Sequence, residues 1–288
     1  MLLRPSTLAL AQTTAVIGDV AKNVERHLEL ATRAADQGAD AILFPELSLS
    51  GYTLRDLNFE CAITPEAPVL APLRELSRRI TIIAGAAERD DRGGVYNAAF
   101  LFEDGAHLHT HRKVYPPTYG IFEEGRYFTS GRAAEACTSR RLGRVGMLVC
   151  EDLWHPSLAY VLAHDDAQMI LGLAASPTRL GTGAAEGPEP RIYSVNREHH
   201  ATYARLFGMY VAFVNRVGVE DGINFWGGSE VVDPSGTTVA RAAFFAEDLQ
   251  FCRIDPERVR EARERSRHAL DDDPLLTGHL LARLAARK

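Results

Sequence analysis

The chain has 288 residues, of which 46% are hydrophobic and 24% are charged, and its formal net charge at pH 7 is -6. This length is sufficient for one large hydrophobic core, and we expect a single α/β domain. The negative net charge argues against a nucleic-acid-binding surface, because such surfaces concentrate lysine and arginine on one face.

No apolar run approaches the roughly 18 residues that a membrane-spanning helix requires. Arginine and proline at positions 4 and 5 interrupt the N-terminus too early for a signal peptide. The cysteines are far apart and form no Cys-x-x-Cys pair, which is typical of a reduced, cytoplasmic protein rather than a disulfide scaffold or a zinc ribbon. They are Cys61, Cys137, Cys150 and Cys252.

The first part of the chain predicts strands and helices in alternation. Asp19 can cap a helix, because apolar residues then recur at helical spacing as far as Ala35. The apolar run that follows is stopped at once by Pro45 and Glu46, and a glutamate that ends a buried strand is unusual, although an exposed loop acid is the alternative interpretation. The predicted elements here are a strand over 7–11, a helix over 19–38, a strand over 41–44, a helix over 72–80 and a strand over 81–86.

Two alternating runs, residues 96–103 and 106–113, are joined by Asp104-Gly105 and predict a β-hairpin that ends at Lys113. Three histidines alternate along its second strand and would share one face. A metal site there would lack an obvious fourth ligand, so we interpret this face as the polar side of an antiparallel pair. The histidines are His107, His109 and His111.

The apolar run 145–149 ends abruptly at Cys150, where two acidic residues follow. Residues at the carboxyl end of such a strand face the crevice in which α/β sheets bind ligands. A cysteine taken alone is more often a small buried hydrophobe, so its neighbours decide the interpretation. The remaining predicted elements are a loop over 119–131, a helix over 156–164, a strand over 168–175, a loop over 177–190 that could serve as a lid, a helix over 191–207, strands over 210–217, 224–232, 238–242 and 249–254, and a charged helix over 256–270.

Four polar residues, Glu46, Lys113, Cys150 and Ser176, each end or closely follow one of these runs, so they would converge on one crevice if their strands are neighbours. Cysteine attacks as its thiolate, and a carboxylate within hydrogen-bonding reach can take the thiol proton and return it to a leaving amine. A lysine between two potential anions keeps its charge and suits stabilisation of a tetrahedral oxyanion. The residues therefore suffice for acyl transfer.

Three segments resemble the Glu-Lys-Cys signatures of the nitrilase (carbon-nitrogen hydrolase) superfamily, in the same order and at similar spacing: Phe44-Pro45-Glu46 with Gly51-Tyr52 after it, His111-Arg112-Lys113, and Cys150-Glu151-Asp152. The resemblance covers about residues 5–255. It implies a four-layer α-β-β-α sandwich and an enzyme without a metal or organic cofactor. It also implies Glu46 as general base, Lys113 as transition-state stabiliser and Cys150 as nucleophile. Glu124 falls where the superfamily carries a second glutamate that positions the lysine or the substrate.

Within the superfamily, residues 115–122, 150–154 and 175–177 resemble the glutaminase domain of glutamine-dependent NAD synthetases. The resemblance implies that five residues surround the substrate side chain: Tyr119, Glu151, Trp154, Ser176 and Arg191. A core position for Trp154 and a surface position for Arg191 are the alternatives. The loop after Ser176 departs from the pattern, which leaves glutamine specificity open, and no Ser-Gly-Gly-x-Asp-Ser loop is present, so we expect the ATP-using half to be absent.

We therefore predict a cysteine-dependent hydrolase that cleaves the carbon-nitrogen bond of a small carboxamide through a thioester. The alternatives are a detached glutaminase that supplies ammonia to a separate NAD synthetase or other amidotransferase partner, a nitrile hydrolase, and a non-catalytic ligand sensor. Residues 1–255 are expected to form the hydrolase domain and 256–288 a helical extension that makes a subunit contact in a homodimer or larger homo-oligomer. No nucleic-acid or membrane partner is expected.

Overall fold

The computed structural model describes residues 4–178 and 190–287. The strands of this part of the chain are β1 (Ser6–Gln12), β2 (Ala41–Leu43), β3 (Thr81–Arg89), β4 (Val95–Glu103), β5 (Ala106–Arg112), β6 (Ala136–Ser139), β7 (Gly143–Val149), β8 (Met169–Ala174), β9 (Pro177–Thr178), β10 (Tyr210–Asn215), β11 (Val217–Glu220), β12 (Ile223–Trp226), β13 (Glu230–Val232), β14 (Thr238–Arg241) and β15 (Asp248–Ile254). The α-helices are α1 (Val20–Asp36), α2 (Asn58–Cys61), α3 (Ala71–Leu76), α4 (Glu124–Tyr127), α5 (Pro156–His164), α6 (Arg191–Phe207), α7 (Pro256–Arg265), α8 (His268–Asp271) and α9 (Pro274–Ala285).

Two six-stranded sheets form the centre of the molecule. The first has the order β15-β1-β2-β3-β4-β5, in which β1, β2 and β3 are parallel and the other pairs are antiparallel. The second has the order β14-β13-β10-β8-β7-β6, in which β7, β8 and β10 are parallel. A small third sheet, β11-β12-β9, lies beyond the carboxyl ends of β8 and β10 along the chain.

The main core lies between the two large sheets, because side chains from both form a single buried cluster that includes Leu10, Ile83, Met147 and Leu171. The outer face of the first sheet packs against α1 and α3, and that of the second sheet packs against α5 and α6. The resulting order of layers is helix, sheet, sheet, helix. The predicted four-layer sandwich is confirmed.

Local signals in the sequence account for the helix boundaries. The Asp19 carboxylate caps α1 by accepting a hydrogen bond from the backbone N–H of Lys22 at 3.0 Å, as predicted. Pro156 occupies the first turn of α5, where its missing N–H costs nothing. Gly208 ends α6 in the left-handed conformation, with φ of 55°.

The predicted charged helix 256–270 is divided into α7 and α8. Two elements nearer the candidate site also differ from the prediction. The run 224–232, predicted as one strand, is divided into β12 and β13, because Gly227 and Gly228 have φ of 69° and 60° and turn the chain from the small sheet into the second large sheet. The predicted loop 119–131 contains the short helix α4. Both differences affect positions close to the candidate site.

The C-terminal helix α9 has no buried residue. Five of its leucines are at least about half exposed, which is unusual for a helix of a folded domain. They are Leu275, Leu276, Leu280, Leu281 and Leu284. Within the described residues, no helix combines the length and the apolar composition needed to cross a membrane.

Candidate active site

Glu46 lies in a tight turn that follows β2 and crosses over β3. Gly85 of β3 is directly beneath the turn, and a Cβ atom there would lie 2.4 Å from the Pro45 carbonyl oxygen and from the Leu47 nitrogen. Leu47 itself has a φ of 49°. Glycine at position 85 is therefore a condition for this turn, because any side chain would push the backbone around Glu46 away from the sheet.

The turn carries the buried carboxylate of Glu46 to Asn97 on β4. The side-chain amide of Asn97 donates a hydrogen bond to Glu46 Oε1 at 2.7 Å. The backbone N–H of Ala175, just beyond β8, donates to Glu46 Oε2 at 2.7 Å. Glu46 thus connects the two large sheets at the ends of their strands.

Lys113 follows β5 directly and is completely buried. Its ammonium group donates hydrogen bonds to Glu46 Oε1 and to both carboxylate oxygens of Glu124, each at 2.8 Å. Glu124 is placed by α4, the short helix that the sequence did not predict. Asn97 also donates to Glu124 Oε2, at 3.2 Å, so one amide bridges both carboxylates.

The charges of Glu46 and Glu124 determine the protonation state of Lys113. Burial alone would lower the pKa of Lys113, but the charges of Glu124 and Glu46 outweigh it, and the pKa lies well above its ordinary value. Burial raises the pKa of Glu124; the charge of Lys113 opposes this shift, and that of Glu46 adds to it. Lys113 therefore stays protonated throughout the neutral range.

Cys150 follows β7 directly and has a left-handed backbone conformation, with φ of 47°. This conformation is strained for a residue other than glycine, and such strain persists only where the surrounding structure enforces it. Burial raises the pKa of the Cys150 thiol well above its usual value; the negative charge of Glu46 adds to the shift, and Lys113 opposes it. The shift favours the thiol of Cys150 over its thiolate.

Asp152 enforces the turn at Cys150 and is fully buried. Its Oδ2 accepts a hydrogen bond from the Val149 N–H at 3.1 Å and lies 2.8 Å from His111 Nε2. Its Oδ1 accepts from the backbone N–H groups of Val114 and Tyr115, at 3.0 and 3.1 Å. One carboxylate thus fastens the cysteine turn to the segment that carries the lysine.

Glu151 and Tyr119 meet at the mouth of the site. The Tyr119 hydroxyl donates a hydrogen bond to Glu151 Oε2 at 2.8 Å, and 58% of Tyr119 is exposed. Trp154 is 39% exposed and lies edge-on to His199, with ring centroids 4.6 Å apart, so it is not a core aromatic.

Ser176 lies one residue after the N–H group that binds Glu46. Its own N–H donates to Asn215 Oδ1 at 2.8 Å, and its hydroxyl accepts from Trp226 Nε1 at 3.1 Å. Arg191 is exposed at the first residue of α6 and, among the described residues, makes no hydrogen bond or ion pair with the group around Lys113. Most of the predicted lid, residues 179–189, lies outside the described part of the chain.

The structure also identifies residues that the sequence did not single out: Tyr52, Gly85, Asn97 and Asp152. The Tyr52 hydroxyl donates to Glu124 Oε1 at 2.7 Å. Tyr52 and Asp152 lie within the Gly-Tyr and Glu-Asp parts of two motifs, but nothing in the sequence indicates their contacts, and Asn97 inside an alternating strand carries no signal that distinguishes it. Among the described residues, no group of histidine, cysteine, aspartate or glutamate side chains could hold a metal ion.

The convergence of these residues has a different origin from the expected one. Only β7 and β8 are neighbours, whereas β2 and β5 are separated by β3 and β4. The gap is crossed by the turn over Gly85, by the bridging Asn97 and by the long side chain of Lys113. The assumption of four neighbouring strands is therefore wrong.

Comparison with known proteins shows that this chain is similar to one family of enzymes. Residues 7–264 match the carbon-nitrogen hydrolase family. The chain is 30% identical over 266 residues to a glutamine-dependent NAD(+) synthetase of Acinetobacter baylyi, covering 92% of this chain but 47% of that protein. It therefore spans about half the length of the curated relatives it matches.

Two solved structures cover nearly the whole chain. A carbon-nitrogen hydrolase from Helicobacter pylori G27 superposes with a TM-score of 0.81 at 25% identity, covering 96% of this chain and 98% of that one. An amidase from Nesterenkonia sp. AN1 superposes with a TM-score of 0.73 at 25% identity, covering 91% and 95%. That amidase is a variant in which glutamine replaces a glutamate, and it carries the acetamide moiety of fluoroacetamide added covalently at the active-site cysteine.

Proposed function

We propose that this chain, which belongs to the carbon-nitrogen hydrolase family, hydrolyses the primary amide of a small carboxamide through a thioester on Cys150. Membership of the family makes it a hydrolase of carbon-nitrogen bonds. The observation that supports the finer proposal is the buried Lys113 ammonium, which lies 2.8 Å from Glu46 and from Glu124. The segment after Lys113 is fastened to the turn at Cys150 by the carboxylate of Asp152. This is a base, a fixed positive charge and a nucleophile in one crevice.

In the acylation step, Glu46 takes the thiol proton while the Cys150 sulfur bonds to the amide carbon. The oxyanion that forms is stabilised by the ammonium of Lys113. Glu46 then passes the proton to the amide nitrogen, the carbon-nitrogen bond breaks, and ammonia leaves an acyl-thioester on the enzyme.

In the second step, Glu46 removes a proton from water, and the resulting hydroxide attacks the thioester. The carbon-sulfur bond breaks, and the thiolate recovers the proton from Glu46 as the carboxylic acid leaves. Glu124 holds the ammonium in place through both steps.

The mechanism needs a free thiol, and the four cysteines are unpaired, so we propose that the enzyme works in a reducing compartment such as the cytoplasm.

Glu46→Gln tests the role of the base, because glutamine keeps the shape but cannot accept the thiol proton. We expect kcat to fall by about 10² to 10⁴ with little change in KM. Lys113→Met, which removes the charge facing both thiolate and oxyanion, should lose at least as much. Cys150→Ala should abolish turnover and retain the fold, as judged by circular dichroism. A Glu46→Gln enzyme within threefold of the wild-type kcat would contradict the assignment.

A second candidate, hydrolysis of free glutamine, is favoured by the carboxylate at the mouth. Glu151 follows the nucleophile directly and is held by Tyr119, so it is placed to receive an ammonium group on the substrate. The curated relatives are glutamine-dependent synthetases, and this chain covers less than half of the first of them. On this proposal the chain would pass ammonia to a separate synthetase partner.

Glutamine and its analogue without the α-amino group, glutaric acid monoamide, distinguish the two candidates. If Glu151 binds the ammonium group, Glu151→Gln should lower kcat/KM for glutamine by at least tenfold and leave the value for the analogue nearly unchanged. Ammonia release is the measurement. Equal effects on both substrates, or no ammonia from glutamine with the purified protein, would count against the glutaminase.

The exposed leucines of α9 lead us to propose that the chain forms a homodimer. An isolated helix of this length is only marginally stable in water, so its apolar face requires a covering surface. A second copy of the chain would supply that surface.

Replacing Leu276 and Leu280 by glutamate should therefore convert the dimer to a monomer. The free energy of unfolding of the monomer should change little, because neither residue is buried in one chain. Light scattering at micromolar concentration is the measurement, with Thr277→Glu on the same helix as the control. A wild-type mass near 31.6 kDa would contradict the proposal.

A further inference from the structure

We propose that Arg216 and Glu220 form a buried positioning unit that fixes the Tyr52 hydroxyl against Glu124 and thereby sets the position of the Lys113 ammonium. The proposal rests on the proposed function of Lys113. Neither Arg216 nor Glu220 touches the reacting groups, so any effect on the reaction must pass through Tyr52.

Glu220 ends β11 and holds the segment that begins at Tyr52. Its Oε1 accepts hydrogen bonds from the backbone N–H of Tyr52 at 2.8 Å, from that of Thr53 at 2.6 Å and from the Thr53 hydroxyl at 3.0 Å. The residue is 5% exposed. Three donors on one buried carboxylate oxygen leave this segment little freedom to move.

Arg216 completes the unit from the end of β10. Its Nη2 lies 2.8 Å from Glu220 Oε2, and only 3% of the residue is exposed. Its guanidinium carbon lies 4.5 Å from the centre of the Phe225 ring, and the Tyr52 ring packs edge-on against the same Phe225, with centroids 5.7 Å apart. The unit thus holds Tyr52 by its backbone and by its ring.

The energetic cost of this pair is an argument for a positional role. Burying two charges costs several kcal/mol, and a buried pair often contributes no net stability compared with apolar residues of similar size. In addition, Nε and Nη1 of Arg216 and Oε2 of Glu220 have no hydrogen-bond partner in the described part of the protein, so the two side chains interact as an ion pair rather than through a well-aligned hydrogen bond. A purely structural hairpin would not need this arrangement.

The Tyr52 hydroxyl connects the positioning unit of Arg216 and Glu220 to Glu124 in the candidate active site. It donates to Glu124 Oε1, the same oxygen that accepts from Lys113. Loss of this donor removes a hydrogen bond to a charged group, which raises the pKa of Glu124 further and loosens its hold on the ammonium. The other ionisable groups that act on Glu124 are Lys113 and Glu46, with Cys150 close by; Arg55, Glu123 and Asp221 line the adjoining cavity.

A neighbouring ion pair provides a matched control. Arg55 Nη2 lies 2.6 Å from Asp221 Oδ2, and this pair connects the same two segments, but its side chains are 65% and 46% exposed. Exposed pairs of this kind contribute little. Asp221→Asn also preserves the positive φ of 50° at this position, which asparagine tolerates.

The experiment compares Tyr52→Phe, Glu220→Gln, their double variant and Asp221→Asn. Two quantities are measured across pH: kcat and KM for the best amide, and the rate at which iodoacetamide alkylates Cys150. Tyr52→Phe and Glu220→Gln should each lower kcat by at least tenfold with KM within twofold. Both should slow alkylation, because a displaced Lys113 stabilises the thiolate less. Asp221→Asn should match the wild type.

The pH profile and the double variant distinguish a positioning role from a purely structural one. Activity requires ionised Glu124, so a higher pKa of Glu124 means that activity is lost earlier as the pH falls, and the acid limb should shift to higher pH in Tyr52→Phe. Once the hydroxyl is absent, adding Glu220→Gln should cost less than threefold more.

Additive losses in the double variant, or equal losses in Glu220→Gln and Asp221→Asn, would overturn the proposal. If Glu220→Gln fails to fold, Tyr52→Phe, which removes a single oxygen, decides the outcome: an unchanged acid limb with kcat within threefold overturns it. A wild-type protein that hydrolyses no amide would refute the proposed function instead, while the alkylation rates would still test the positioning unit.

Discussion

The pairing of the Lys113 ammonium with two carboxylates is the interaction on which the site depends. A buried, unpaired ammonium or carboxylate costs several kcal/mol, so removing one member leaves the others in a worse position than if all were absent. The three groups therefore act as one unit, further satisfied by Asn97, Ala175 and Tyr52. The same pairing keeps Lys113 charged, whereas burial, with the negative charge of Glu46 added, raises the pKa of the Cys150 thiol.

The position of Cys150 beside this pairing depends on two sheets that meet face to face. Glu46 and Lys113 belong to the first sheet and Cys150 to the second, and each sheet holds its partner through one contact at the strand ends. The N–H of Ala175 binds Glu46 from the second sheet, and Asp152 binds the N–H groups after Lys113 from the turn at Cys150. The sandwich thus holds the Glu46 carboxylate and the turn at Cys150 in fixed positions, and Gly85 permits the close approach of the Glu46 turn to the first sheet.

Individual strands and helix α1 could be predicted because each leaves a local signal, whereas the four-layer order and the grouping of Glu46, Lys113 and Cys150 were implied by the resemblance of three motifs to one superfamily. Apolar runs that end in a polar residue identified the strands before Glu46 and Cys150, and the helical period with a capping Asp19 identified α1. The contacts of Asn97 and Tyr52 leave no such signal, since they depend on which strands become neighbours. For the same reason the sequence does not show that the strands before Glu46 and Lys113 are separated by β3 and β4. The alternating pattern predicts a strand interior at the glycine pair 227–228, where the chain changes from one sheet to another.

The resemblance assigns several residues at the rim to substrate binding, and the described structure shows contacts with the site for only some of them. Tyr119 and Glu151 meet through a hydrogen bond, whereas Arg191 has no such contact with the site in the part of the chain that the structure describes. The rim is therefore formed by exposed side chains such as Tyr119, whereas buried contacts hold the turn at Cys150.

The most direct test of the central claim is to quench the enzyme with acid during turnover of a saturating amide and to weigh the peptide that contains Cys150 by mass spectrometry. An acyl-thioester mechanism predicts a fraction of this peptide heavier by the acyl group of the substrate, with the Cys61, Cys137 and Cys252 peptides unchanged. Steady turnover with the Cys150 peptide at its unmodified mass, or an acyl group on another residue, would contradict the account.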